Sequence, residues 1–267
     1  MNSVQMALGD GMTIAKRNVI KIKRVPDLLV FTILSPIMFV LLFAYVFGTA
    51  IEIPGMSYRE FLIAGIFTQT VIFGSTWTGL GMAEDLQKGI IDRFRSLPMA
   101  PSAVLVGRTS SDVLINIVSL VVMSLTGLVV GWRINTDVGR ALLAYVLLLL
   151  FAYALSWVMV VVGLWIRTPE VFNNASFVVI FPLSFMANTF VDINSLPGPL
   201  RVVAEWNPVS ALTQAVRELF GNTNPQMVVP DVWPLQNPIL ASLLWTVLLL
   251  VVFVPFAIRR YKKAVSR

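Results

Sequence analysis

Residues 84–108 read EDLQKGIIDRFRSLPMAPSAVLVGR, a charged and proline-punctuated island in an otherwise apolar chain. The runs on either side of it, near 61–82 and 113–131, are each long enough to cross a hydrocarbon core, which takes roughly 20 helical residues. Further runs of that kind lie near 28–48, 141–166, 171–191 and 239–258. The composition agrees: 57% of residues are hydrophobic, only 13% are charged, and the mean hydropathy is +0.81. Soluble domains carry about 25% charged residues. A lipid-exposed backbone must satisfy its hydrogen bonds internally, so the runs are expected to be helices. Alternating strands of the barrel type are not visible. The predicted fold is an all-α polytopic membrane protein, a single domain over 1–267 with six transmembrane helices.

Lysine and arginine set the orientation of such a chain. One alternating set of segments holds Lys16, Arg17, Lys21, Lys23 and Arg24, then Lys88, Arg93, Arg95 and Arg108, then Arg167, then Arg259, Arg260, Lys262, Lys263 and Arg267. The opposite set holds Arg59, Arg133, Arg140, Arg201 and Arg217. Both termini and the 84–108 island are therefore expected on the cytoplasmic side of the cell membrane. The net charge of +6 is explained by topology, and nucleic acid is not an expected partner. The first residues lack the three-part pattern of a signal peptide, so no removable leader is expected.

Residues 14–25, IAKRNVIKIKRV, put Ile14, Ala15, Val19, Ile22 and Val25 on one helical face and the basic residues on the other. That pattern predicts an interfacial amphipathic helix before the first span. Between the fifth and sixth runs lies a proline-rich external segment, 192–236. Within it, WNPVSALTQAVRELFGN (206–222) has Asn207 as an N-cap, Pro208 at the first helical position and Gly221 just past the end. These are start and stop signals of a helix. A short amphipathic helix folded back on the outer face is expected there.

In the island itself, Leu86, Ile90, Phe94 and Leu97 recur at helical spacing, and Pro98 and Pro101 then interrupt the helix. A mixed-charge amphipathic helix on the cytoplasmic face suits docking to a soluble partner. It equally suits a surface helix that packs only on its own bundle.

GIIDRFRSLPMAPSAVLVGR (89–108) closely resembles the region between spans two and three of ABC-2 type permeases of the daunorubicin/doxorubicin-resistance kind. WNPVSALTQAVRELFGN resembles the segment before the last span in that family, so the resemblance runs over essentially the whole chain. The resemblance implies a membrane subunit of an ATP-driven exporter, with a cytoplasmic coupling helix seated in a groove of a separate ABC ATPase subunit. It further implies that two six-span permease subunits pair, as identical or related chains. Carried onto this sequence, the coupling role falls on Glu84, Arg93, Phe94, Arg95, Leu97, Pro98 and Pro101. The chain has no GxxxxGK[ST] motif, and GRTSS at 107–111 lacks both the upstream glycine and the lysine. A phosphate-cradling loop is thus absent from the sequence. ATP and Mg are expected on the partner ATPase, with no cofactor on this chain.

Polar side chains within spans are costly and tend to face a cavity or another helix. The second and fifth runs are the most polar, and the family resemblance puts the same two spans along the pathway. The candidate pathway residues are Thr68, Gln69, Thr76, Asn173, Asn174 and Asn188. Small and hydroxyl residues also mark simple helix packing, so each of them has that alternative. Asp112 and Glu170 are placed at cytoplasmic span ends, in contact with water, leaving no fixed charge near mid-span. An uncharged passage suits a hydrophobic or amphipathic substrate, either a drug, an antibiotic or a lipid. Phe67, Phe73, Trp77, Phe177, Phe181 and Phe185 either stack on a planar compound or face lipid.

Two other classes compete. A secondary transporter or channel normally relies on intramembrane carboxylates or inverted repeats, and neither is evident. An intramembrane enzyme needs a nucleophile with its base or paired carboxylates. With no cysteine or histidine in the chain, no catalytic residue and no metal site is assigned.

Overall fold

The computed structural model describes residues 26–47, 57–90, 101–166, 168–190, 192–224, 226 and 228–265. Every regular element among them is helical. In chain order these are α1 (Pro26–Leu42, continued by a π-helical turn Phe43–Phe47), α2 (Tyr58–Gly74), α3 (Thr76–Gln87), α4 (Pro101–Val130), α5 (Val138–Trp165) and α6 (Pro169–Phe185). Then follow a 3-10 turn (Ile193–Ser195), α7 (Gly198–Trp206), α8 (Pro208–Phe220), α9 (Trp233–Gln236) and α10 (Pro238–Val265). The predicted interfacial helix at 14–25 lies outside the described residues.

Four stretches are long and apolar enough to cross a membrane: Tyr58–Gln87, Val104–Val130, Val138–Trp165 and Pro238–Lys263. They fall on the second, third, fourth and sixth runs. The first run forms α1 and its π-helical continuation, together residues 26–47, and the fifth forms α6, which has 17 residues. The fifth run was expected to continue to 191, but its helix stops at Phe185. Pro182 removes a backbone donor near the helix end, and a side chain of α8 takes the carbonyls released there, as detailed below.

α5 is the hub, packing against α10, α3, α8, α4, α2 and α6. Its apolar residues leave no polar face, and Ala144, Leu147, Leu148, Phe151 and Leu155 are all buried. Close crossing with α3 depends on glycine. A Cβ at Gly163 would collide with the Gly79 carbonyl, and one at Gly79 would meet the Met159 carbonyl and the Phe172 ring. Small residues that let backbones approach are the usual means of joining helices in lipid, where no hydrophobic force acts between them. By contrast, α4 and α10 bury only part of their surface, and Leu125, Val129, Leu244 and Val251 are exposed. Those faces are what lipid contact requires.

Candidate functional site

Among the described residues two polar centres stand out, one at each end of the bundle. At the end opposite the charged island, Asn207 caps α8 by accepting from the Val209 N–H at 2.9 Å. Its Nδ2 donates to the Leu183 and Met186 carbonyls at 2.8 and 3.0 Å. Ser210 Oγ accepts from the Asn188 N–H at 3.2 Å. Arg217 donates through Nη2 to the Asn188 carbonyl at 2.7 Å and through Nε to the Phe61 carbonyl at 3.1 Å. A longer bond of 3.3 Å reaches the Thr189 carbonyl. Asn207, Ser210 and Arg217 follow the helical repeat, so one stripe of α8 sews the end of α6 to the start of α2.

The amphipathic helix was expected folded back on the outer face. α8 is packed between α2, α5 and α10, and Asn207, Ser210 and Arg217 bond main-chain groups of neighbouring segments. Arg217 is only 4% exposed, and its guanidinium lies 3.6 Å from the Phe61 ring centroid. Burial pulls the Arg217 pKa down to about 9, with Asp192 and Tyr58 opposing, so it is charged at neutral pH. Sequence reasoning counted this residue only as a topology marker. The signal that could have found it was its place on the Asn207–Ser210 face.

The far end of α8 is closed by Gly221, at φ 70°, where the Asn222 N–H bonds the Arg217 carbonyl at 2.9 Å. A left-handed residue followed by that bond is a Schellman-type stop. The Asn135 N–H takes the Phe220 carbonyl at 2.8 Å, and Thr136 Oγ1 takes that of Leu219 at 2.6 Å. Trp132, fully buried, donates Nε1 to Asn222 Oδ1 at 2.8 Å and meets Phe67 and Phe220 ring to ring. Phe67 is therefore a core residue. Trp77, Phe177, Phe181 and Phe185 are exposed.

The second centre joins α3 to α4 beside the charged island. Arg108 Nη1 lies 2.5 Å from Asp85 Oδ2, with both side chains largely buried. The guanidinium rests against Gly81, where any Cβ would strike it. One turn further into α4, Asp112 accepts from the Thr78 hydroxyl, and Asn116 Nδ2 donates to the Asp112 carbonyl at 3.0 Å. Here the expectation of a water-exposed Asp112 is corrected. α4 begins at Pro101, twelve residues earlier than the apolar run suggested, and Asp112 is only 8% exposed.

Of the coupling residues predicted from the resemblance, Glu84 is described and lies 3.4 Å from Lys88 Nζ. Pro101 is the first residue of α4, and Arg93, Phe94, Arg95, Leu97 and Pro98 lie outside the described residues. The predicted pathway residues do not gather into one site. Thr68 is buried and bonds its own helix at the Ala64 carbonyl, and Thr76, at the start of α3, bonds the Phe73 carbonyl at the end of α2. Gln69, 2% exposed, has neither amide atom hydrogen-bonded among the described residues. Asn188 is buried behind α8, whereas Asn173 and Asn174 are exposed at the opposite end of α6. Gly65, one turn before Gln69, lies so close to Thr189 that a Cβ would meet that carbonyl.

The comparisons fit this arrangement. The ABC-2 type transporter family matches residues 11–220, spanning the island and α1 through α8. The daunorubicin resistance ABC transporter permease protein DrrB1 of Streptomyces coeruleorubidus is 33% identical over 207 residues, which is 78% of this chain and 73% of that protein. The "Probable doxorubicin resistance ABC transporter permease protein DrrC" of Mycobacterium tuberculosis strain H37Rv is 24% identical over 234 residues, 87% of this chain and 80% of that one. The chain thus belongs to the ABC-2 type transporter family, as a membrane-spanning permease.

Proposed function

We propose that the chain is the permease subunit of an exporter driven by a separate ABC ATPase, moving a hydrophobic or amphipathic compound out across the cell membrane. The observation that carries this reading is the 33% identity to a daunorubicin resistance permease, over a region that includes the charged island. In this reading α1 and α6 complete a six-span bundle, and both termini face the cytoplasm. The coupling contact falls on Glu84, Arg93, Phe94, Arg95, Leu97, Pro98 and Pro101. The Asp85–Arg108 pair supports it, because it braces the two helices that flank the island.

A second permease subunit completes the passage. Asn173 and Asn174, exposed on α6, face it, while Thr68, Gln69, Thr76 and Asn188 belong to the side within the subunit. The unpartnered amide of Gln69 supports that assignment. A buried amide without partners costs on the order of 2 kcal/mol, a cost that a hydrated open state would relieve.

The test is ATP-dependent uptake of daunorubicin, or of a fluorescent phospholipid, into inside-out vesicles. The vesicles would carry this chain together with an ABC ATPase from the same organism. Uptake that needs both chains and ATP is expected. Uptake that persists without ATP and follows a proton gradient would make the chain a secondary transporter instead.

A further inference from the structure

A cavity of about 230 Å³ opens at the α8 end of the bundle, walled by the 3-10 turn, the outward side of α8 and residues 222–224 and 228–230. Its lining includes Asp192, Arg217, Glu218, Gln214 and Asn188. Among the described lining residues two carboxylates accompany one guanidinium, which leaves one negative charge in excess. The guanidinium is directed elsewhere, because its bonds run to the carbonyls of Phe61, Asn188 and Thr189.

The carboxylates are only half used. Asp192 Oδ1 accepts from the Asn194 N–H and Nδ2, both at 3.1 Å. Glu218 Oε1 accepts from Gln214 Nε2 at 3.2 Å. Among the described residues neither Asp192 Oδ2 nor Glu218 Oε2 has a donor. The cavity therefore has spare acceptors and spare negative charge, the complement of a cationic N–H donor.

Its surroundings are apolar on the other side. Ile193 and Leu235, both lining residues, pack with Ala204 on the inner face of α7. The outer face of α7 is inverted for a water-facing helix, with Val202, Val203 and Trp206 exposed and Glu205 buried on Arg201 at 2.8 Å. Drug-sized sites usually enclose about 300–1,000 Å³, so this one suits a head group more than a whole amphiphile. An apolar tail would remain outside, at the level of the α7 face.

We infer that this cavity binds the ammonium group of an amphipathic ligand at the outer end of the permease. The role of the site in export rests on the function proposed above; recognition of the ammonium rests on the cavity alone.

Purified full-length chain in lipid nanodiscs would be titrated with hexylammonium, using hexanol and hexanoate as controls and saturation-transfer NMR as the readout. Saturable binding of hexylammonium is expected, without saturable binding of either control. Asp192→Asn together with Glu218→Gln should weaken it at least tenfold. Both replacements keep the oxygens that accept from Asn194 and Gln214. Each single variant, expected to weaken binding several-fold, covers the case in which the pair does not fold. Equal affinity in wild type and variants, competition by hexanoate, or no saturable binding would overturn the inference. Any of those results alongside ATP-driven export would remove this site and leave the exporter reading standing.

Discussion

The two polar centres solve the same problem by different means. At the α8 end a single buried cation, Arg217, is held by main-chain carbonyls and by the Phe61 ring. Beside the island, Arg108 is held by a carboxylate, and a second acid, Asp112, is held by a hydroxyl. Carbonyls cannot move without moving the backbone, so the first arrangement fixes three segments as one body. Side-chain pairs can exchange partners through rotamer changes, so the second can yield while its helices stay intact. The difference places the stiff part of the subunit at one face and the adaptable part beside the charged island, where the ATPase contact is proposed.

Substitutions can break this comparison. Arg217→Met removes the clamp and leaves carbonyls beyond the end of α6 unpaired, so it should cost about 3 kcal/mol or more in unfolding free energy. Lysine at the same place should cost less, because it restores part of the bonding. An unchanged midpoint in SDS-induced unfolding of the methionine variant would remove the clamp from the account.

Asp85→Asn strands a buried guanidinium and is expected to cost about 2–3 kcal/mol. The exchanged pair, Asp85→Arg with Arg108→Asp, should recover part of that loss, whereas additive losses would mean that the pair is not coupled. Gln69→Leu should act in the opposite direction, raising stability by about 1–2 kcal/mol because an unpartnered amide is removed, while lowering export. Stability and export both at wild-type level would show that Gln69 has no part in the passage. The smallest effect is expected at Asn174→Leu, within about 0.5 kcal/mol of wild type in stability, since the residue is exposed. A large loss there would mean that α6 is packed more fully than its exposed face indicates.

Much of the framework was legible from hydropathy alone. The second, third, fourth and sixth runs coincide with helical stretches long and apolar enough to cross a membrane. α8 was legible to the residue, since Asn207, Pro208 and Gly221 act locally through capping, a fixed φ and a left-handed stop. The early end of α6 was not legible, because it depends on Asn207, more than twenty residues away in sequence. Asp112 was misplaced for a related reason. Its burial follows from α4 starting at Pro101 and from Thr78 on a different helix, neither of which periodicity can report. The partners of Arg217 were beyond reach as well, since backbone carbonyls carry no sequence signature. Phe67, offered as a drug-stacking candidate, was claimed instead by Trp132, Tyr145 and Phe220, contacts that unite distant parts of the chain.

The most direct test of the central claim is whether an ABC ATPase docks on the charged island. The chain would be tagged, coexpressed with an ABC ATPase from the same organism, solubilised in detergent and isolated, as wild type and as the Phe94→Ala, Arg95→Glu double variant. The account predicts that the ATPase copurifies with wild type and is lost from the variant, while the variant keeps its membrane insertion and helical content. An ATPase that accompanies both forms equally, or neither, would contradict it.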